Sequence, residues 1–194
     1  SWSGKVSGPL ELRGKFHRGE VRELEATARC TITRSEGPNP LEGEVEVAYS
    51  QRGGRVELGR SWLATPASRL EFTGTLGRRL EVRVHSKDLA DFEPALALVS
   101  AETKRLPVRL AHGEARFQGV VAGPLENPEI RGRVAVSNLV YEGRTVERLE
   151  AGLTMTKDRT QVENLQVRQR RMRLSGTAQA GLRRVRRQTT MLPG

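Results

Sequence analysis

Apolar and polar residues alternate along most of this chain. From Leu24 to Thr33 every second residue is apolar, and the residues between them are charged or carry hydroxyls. A period of two residues is that of a strand with one half-buried and one solvated face. The pattern predicts an all-β protein, because the same period returns at 43–49, 70–74, 80–84, 115–119, 130–136, 149–155 and 172–176.

Short turn signals separate these alternating stretches. They include Gly53-Gly54, Glu142-Gly143, Lys157-Asp158 and Gly-Pro pairs. Such dipeptides are typical of tight reversals, which place consecutive strands side by side and antiparallel. We therefore expect an elongated antiparallel meander.

One window departs from the period of two. Leu89, Phe92 and Leu96 are spaced three and four residues apart, acidic residues come early, and Pro94 suits a first helical turn. The spacing predicts one short helix near 88–99. Its place between two sheet segments suits it to cover an end or an edge of the sheet.

Three blocks of sequence recur in the same order. Residues 4–10 (GKVSGPL) match 119–125 (GVVAGPL), residues 21–26 match 146–151, and residues 69–75 match 171–177. Repeat proteins reuse one supersecondary unit in this way. We predict two β units, 1–86 and 105–182, a helical connector 87–104, and a basic segment 183–194 that continues into further chain. The Gly-Pro step is interpreted as a bend shared by both units, and a hairpin around 39–54 as an insertion in the first.

The positive charge limits the partners to consider. The 194 residues carry a net charge of +10, mostly through arginine, and only 4% are aromatic. Arginines can form the solvated face of a sheet and protect its edges. The clusters 168–173 and 183–187 also suit anionic lipid headgroups or nucleic acid. Nucleic acid is the weakest of these, because sheets that read RNA need exposed aromatics for stacking and the aromatics here are scattered.

No catalytic pattern is evident. His17, His85 and His112 are isolated from one another, and the single cysteine, Cys30, can form neither an internal disulfide nor a cysteine-rich metal site. The stretch Gly8 to Lys15 departs from a phosphate-binding loop in spacing and lacks the following Ser or Thr. We expect that the protein is not an enzyme and that it binds neither a cofactor nor a metal ion. An apolar run of about 18 residues, long enough to span a membrane, is also absent from the sequence.

The order of several motifs resembles a known family. From Gly119 the chain reads G-x-V-x-G-P-L-x-N-P-x-I-x-G, followed by VSNL at 136–139, VERL at 146–149 and a glycine at 176. Together with the acidic stretch at 88–96, this is similar to the repeating region of the AsmA-like and TamB proteins of Gram-negative bacteria. The resemblance runs from about Gly4 to about Leu182.

The resemblance implies both a shape and a role. Proteins of this family form a long open β-groove, or β-taco, which is also the outline of bridge-like lipid-transfer proteins. It implies a periplasmic location, an inner-membrane anchor outside this segment, and transport of phospholipid toward the outer membrane or support of outer-membrane protein assembly. Two alternatives stay open, a structural scaffold that binds a protein partner by strand addition and a basic nucleic-acid-binding β-domain.

The apolar positions suit such a groove. Small apolar side chains leave room for acyl chains, and the scarcity of aromatics agrees with an interior that is not tightly filled. The alternative is a closed sandwich in which the same residues pack against one another. The predicted lining residues are Leu24, Ala26, Ala28, Ile32, Val45, Val47, Leu70, Phe72, Val82, Val84, Phe117, Val134, Val136, Leu149, Leu153, Met155 and Leu174.

Overall fold

The protein folds into one antiparallel sheet. The computed structural model describes residues 2–17, 20–37, 39–93, 108–169 and 172–181. The strands are β1 (Gly4–Ser7), β2 (Leu10–His17), β3 (Glu20–Arg34), β4 (Glu42–Ser50), β5 (Arg55–Ala64), β6 (Ser68–Thr75), β7 (Arg79–Ser86), β8 (Val108–Leu110), β9 (Ala115–Ala122), β10 (Glu129–Tyr141), β11 (Arg144–Met155), β12 (Arg159–Gln169) and β13 (Met172–Gly181). Two short 3-10 turns cover Gln51–Gly53 and Leu89–Phe92.

The strand order follows the chain almost without exception. Through the middle of the sheet it runs β3-β4-β5-β6-β7-β9-β10-β11-β12-β13. Strands β1 and β2 both pair with β3, and β8 and β9 both pair with β10, so each couple forms one interrupted strand. Strand β7 pairs directly with β9, and the sheet is therefore continuous between the two predicted units. The segment 94–107 lies outside the described residues.

The predicted all-β antiparallel meander is confirmed, with 73% of the residues in strands. The closed sandwich is wrong for the described strands, because all of them belong to one open sheet. That sheet is also uncurled, which differs from the curled groove that was expected. The small side chains of its apolar face bury little area across the sheet, so little draws its two ends together.

The helical window is only partly described. Residues Leu89–Phe92 form a 3-10 turn that begins at Asp88, whose Oδ1 accepts a hydrogen bond from the backbone N–H of Ala90 at 3.0 Å. The remainder of the predicted helix, 94–99, lies outside the described residues. The turn is tied to the sheet through Asp91, because the Ser68 hydroxyl donates to its Oδ2 at 2.7 Å and the Thr65 hydroxyl donates to the same oxygen.

The two Gly-Pro steps have different structures. Gly8, at φ 149°, interrupts the edge strand between β1 and β2, and the backbone N–H of Arg29 in β3 donates to the carbonyl of Pro9 at 3.3 Å. Gly123, at φ 89°, opens the turn between β9 and β10 instead. The prediction of one shared bend is therefore wrong. Glycine serves both places because each needs a positive φ, which side chains with a Cβ rarely adopt.

The matched blocks also differ in strand direction. Residues 21–26 lie in β3 and their match 146–151 in β11, whereas residues 69–75 lie in β6 and the described part of their match 171–177 in β13. Two strands separate β3 from β6, whereas one separates β11 from β13. Since neighbours are antiparallel, β3 and β6 run in opposite directions while β11 and β13 run in the same direction. The extra part of the first copy is thus one strand rather than a hairpin, and the sequence repeat is not a repeat of one three-dimensional unit.

Candidate functional site

All of the predicted lining residues lie on one face of the sheet. Directly opposed residues of neighbouring strands point to the same face. The chain of opposed pairs connects every predicted position, from Leu24 in β3 to Leu174 in β13, on that face. These side chains are half-buried, except Leu174, which is 66% exposed. We call this side of the sheet the apolar face.

The apolar face is organised in rows that cross the strands at right angles. One row of directly opposed residues crosses nine strands. With about 4.8 Å between neighbouring strands, it is about 38 Å long. Its members are Val6, Ile32, Gly43, Leu63, Leu70, Val84, Phe117, Val134 and Ala151.

The ring of Phe117 lies over two glycines, Gly119 and Gly132, at the centre of this face. Its ring atom Cζ lies 2.6 Å from the place that a Cβ would occupy on Gly119, and equally close to that of Gly132. These two glycines oppose each other in β9 and β10. A large ring can lie flat along the sheet only where neighbouring residues lack side chains. The glycines therefore set how Phe117 lies on the apolar face.

Several apolar residues were missed because bulges interrupt the alternation. Strand β5 carries one extra residue between Leu58 and Ser61, so Leu58 and Leu63 share a face although five positions separate them. Strand β12 carries an extra residue at Asn164, which adopts φ 50°. Asparagine tolerates this conformation, and the bulge returns Leu165 to the apolar face. A period of two cannot be followed through such positions.

The opposite side, which we call the charged face, carries the intervening polar residues. Arginine and glutamate two positions apart form ion pairs along single strands, for example Arg69 with Glu71 at 2.9 Å and Arg131 with Glu129 at 2.7 Å. The Arg69 guanidinium also lies 4.2 Å above the ring of Trp62. Exposed pairs of this kind contribute at most about 1 kcal/mol each. Their main effect is to keep this face solvated.

A three-residue cluster joins β7 to β9 on the charged face. His85 Nε2 lies 2.8 Å from one carboxylate oxygen of Glu114, and Arg116 lies 2.8 Å from the other. The hydrogen bond from His85, followed by that from Arg116, holds the pKa of Glu114 below its ordinary value. The Ser137 hydroxyl contacts only the backbone of Glu114, whose N–H donates to it at 3.0 Å, and in the described part no serine or cysteine is hydrogen-bonded to the three side chains. It is a structural link between strands.

Three clefts in the described part of the sheet open on the charged face. The two larger ones have volumes of about 830 and 1030 Å³. Most of their lining residues belong to the charged rows, including Arg69, Arg83, Gln118 and Arg133, although residues of the apolar face such as Phe117 also contribute. A third, smaller cleft lies beside Arg148. None of these three clefts corresponds to the expected trough along the apolar face. The concave space lies between long charged side chains. The alternation of apolar and polar residues in the sequence does not reveal how these side chains pair.

The described residues contain no group of three or more His, Cys, Asp or Glu side chains that could hold a metal ion. Within the same ranges, no helix has the length and apolar character needed to cross a membrane. His85 is engaged by Glu114, and the side chain of His17 lies outside the described part. The basic cluster 183–187 also lies outside it, as do two residues of the cluster 168–173.

The chain matches no family model, no curated protein and no solved structure. Functional inference therefore rests on the motifs of the sequence and on the geometry of the two faces.

Proposed function

We propose that the apolar face binds the acyl chains of phospholipids. The observation that carries this proposal is the row of opposed apolar residues that crosses nine strands from Val6 to Ala151 without a charged side chain. Exposed apolar surfaces of this extent mark sites of interaction with a membrane, a lipid or a protein. A continuous row about 38 Å long suits an extended chain better than a compact ligand.

The chemistry of the face fits hydrocarbon. Within the sheet the backbone N–H and C=O groups are used by neighbouring strands, so an acyl chain on this surface meets few polar groups that need water. Each buried methylene contributes about 0.8 kcal/mol. The charged side chains project to the other side, where they cannot interrupt the contact.

The motif resemblance to AsmA-like and TamB proteins supports a wider role. In this proposal the chain is a segment of a periplasmic protein, anchored in the inner membrane, that moves phospholipid between inner and outer membranes or assists outer-membrane protein assembly. It works as a surface along which lipid slides and not as an enzyme. Direction, energy source and lipid species are properties of the complete assembly.

Lipid retention tests the proposal directly. The protein is purified from bacterial membranes in mild detergent, and bound lipid is identified by native mass spectrometry and lipid extraction. We expect co-purified phospholipid with the wild type and its loss when Val82→Asp and Val134→Asp place two charges on the apolar face. The matched control, Thr31→Asp with Thr154→Asp, places two charges on the charged face at positions that line none of the three clefts.

Two results would count against acyl-chain binding. One is a wild type that carries no lipid once detergent controls are subtracted. The other is equal lipid loss in the apolar-face variant and its control. Circular dichroism establishes in each case that the β-sheet is retained.

The free edges favour a second candidate, a scaffold that binds a protein partner by strand addition. Val6, Leu10 and Leu12 at one edge are 67, 63 and 63% exposed, and Leu174 at the other is 66% exposed. Unpaired edges with apolar side chains are templates for a further strand. Sedimentation velocity in lipid-free buffer tests this. Concentration-dependent assembly that Leu12→Lys suppresses supports a scaffold, and a constant monomer contradicts it for self-association.

A further inference from the structure

The two larger clefts of the charged face share one row of side chains. Arg83 in β7, Gln118 in β9 and Arg133 in β10 are directly opposed, and all three line both clefts. We call them the arginine row. Because Arg83 and Arg133 lie two strands apart, their Cα atoms are separated by about 10 Å across Gln118.

The two arginines of this row differ from the other arginines that line the first cleft. Arg69 and Arg116 line the first cleft as well, but each is within 2.9 Å of a carboxylate. Neither Arg83 nor Arg133 has an ion-pair partner within the described ranges. They are therefore two guanidinium groups with unused donors on one concave surface.

The nearby carboxylates are mostly engaged elsewhere. Glu71, directly opposite Arg83, is held by Arg69 at 2.9 Å, and Glu150 is held by Arg148 at 2.5 Å. Glu114 is shared by the side chains of His85 and Arg116 on the neighbouring row. Two nearby carboxylates have no ion-pair partner in the described part: Glu81 lies two positions before Arg83 on β7, and Glu163 lies opposite Gly152 in β12, two strands from Arg133. Neither is within ion-pair distance of the two arginines of the row.

Space beside the row is kept open by small residues. Gly152 opposes Arg133 in β11, and Ala135 lies two positions further along β10 on the same face. Both line the first cleft, where they leave a floor without long side chains. A ligand held by Arg133 can therefore approach the sheet closely on the Gly152 side of the row.

We propose that the arginine row binds a phosphate group. A guanidinium presents a planar fork of N–H donors that fits two phosphate oxygens at once, and two such forks can approach one phosphate from opposite sides. The amide of Gln118 supplies a further N–H between them. The phosphate is either free in solution or the headgroup of a phospholipid, since both offer the same oxygens.

This site is separate from the acyl-chain surface, because the two lie on opposite faces of the same strands. A lipid lying on the apolar face does not reach the arginine row through the sheet. Failure of phosphate binding therefore leaves the proposed function untouched, and failure of acyl-chain binding leaves this site untouched.

The test compares two double variants of equal charge. Arg83→Gln with Arg133→Gln removes the two unpaired guanidiniums of the row. Arg109→Gln with Arg144→Gln removes two exposed arginines that line none of the three clefts. Binding of inorganic phosphate is measured by isothermal titration calorimetry. Binding to vesicles of phosphatidylcholine, with and without phosphatidylglycerol, is measured by co-sedimentation.

We expect the row variant to lose at least tenfold in affinity for one of the two probes, and the control less than twofold. A loss for inorganic phosphate identifies a free phosphate as the source, and a loss for anionic vesicles alone identifies a headgroup. Arg83→Lys with Arg133→Lys keeps the charge but lacks the planar fork, so several-fold weaker binding is expected. Equal effects of the row variant and its control on both probes overturn the proposal, as does an absence of binding by the wild type.

Discussion

The apolar and charged faces are built from the same strands, but different interactions determine the arrangement of their side chains. Neighbouring residues such as Val134 and Ala135 point to opposite sides of one strand. On the apolar face Phe117 lies against Gly119 and Gly132. On the charged face, arginines and glutamates pair along the strands and leave clefts between them. Side-chain volume thus controls the first face, while charge pairing controls the second.

One added methyl group gives the sharpest contrast between the faces. A Cβ on Gly119 would lie 2.6 Å from the Phe117 ring and in conflict with the carbonyl of Arg131. A Cβ on Gly152, on the charged face, meets only Glu163, at 3.5 Å, which is ordinary contact. We expect Gly119→Ala to lower the free energy of unfolding by about 1–3 kcal/mol. Gly152→Ala should leave it within about 1 kcal/mol of the wild type.

Urea unfolding followed by circular dichroism measures both variants of this pair. Phe117→Leu combined with Gly119→Ala distinguishes the ring conflict from the backbone conflict, because a smaller side chain relieves only the former. Equal losses for Gly119→Ala and Gly152→Ala would mean that the two faces are not packed differently.

The alternation of residues was sufficient to predict the class of fold and the membership of the apolar face. Every predicted lining residue, including distant ones such as Val45 and Met155, lies on that face, because the side-chain period of a strand is independent of its partners. The strand order could also be predicted from the sequence, because tight turns place strands that are consecutive in the chain next to each other in the sheet.

Features that depend on the pairing register of the strands could not be predicted from the sequence. The bulges at Gly59–Arg60 and at Asn164 shift the alternation and hid Leu63 and Leu165. The arginine row was missed because the pairing state of Arg83 depends on which residues lie across from it. Similarly, the two Gly-Pro steps have one sequence signature, but the partner strand decides whether the step kinks an edge or closes a hairpin.

A smaller effect is expected at the bulge on the apolar face. Ser61 opposes Phe72 and is only 3% exposed, and its hydroxyl accepts a hydrogen bond from Glu46 N–H at 3.0 Å and donates to the carbonyl of Gly59 at 3.1 Å. Removing it in Ser61→Ala leaves both backbone groups without this partner. We expect a loss of about 1–2 kcal/mol in urea unfolding. Ser175→Ala, at an exposed position of the charged face, is the control and should change nothing measurable.

The smallest effect concerns a single carboxylate of the charged face. The hydrogen bond from His85, and then that from Arg116, holds the pKa of Glu114 below its ordinary value of 4.5. A carboxylate with a lowered pKa in the folded state stabilises the protein above its unfolded-state pKa, and this contribution is lost as the pH falls through the folded-state pKa. His85→Ala should therefore raise the pKa of Glu114, because the largest contribution that lowers it is removed while Arg116 still contacts the carboxylate. The Glu114 carboxyl carbon, titrated by NMR from neutral pH downward, reports the midpoint.

The control is Lys87→Ala, on the same chain segment without a contact to Glu114, which should leave that midpoint unchanged. If the midpoint is also unchanged in His85→Ala, the charged face does not couple β7 to β9 electrostatically.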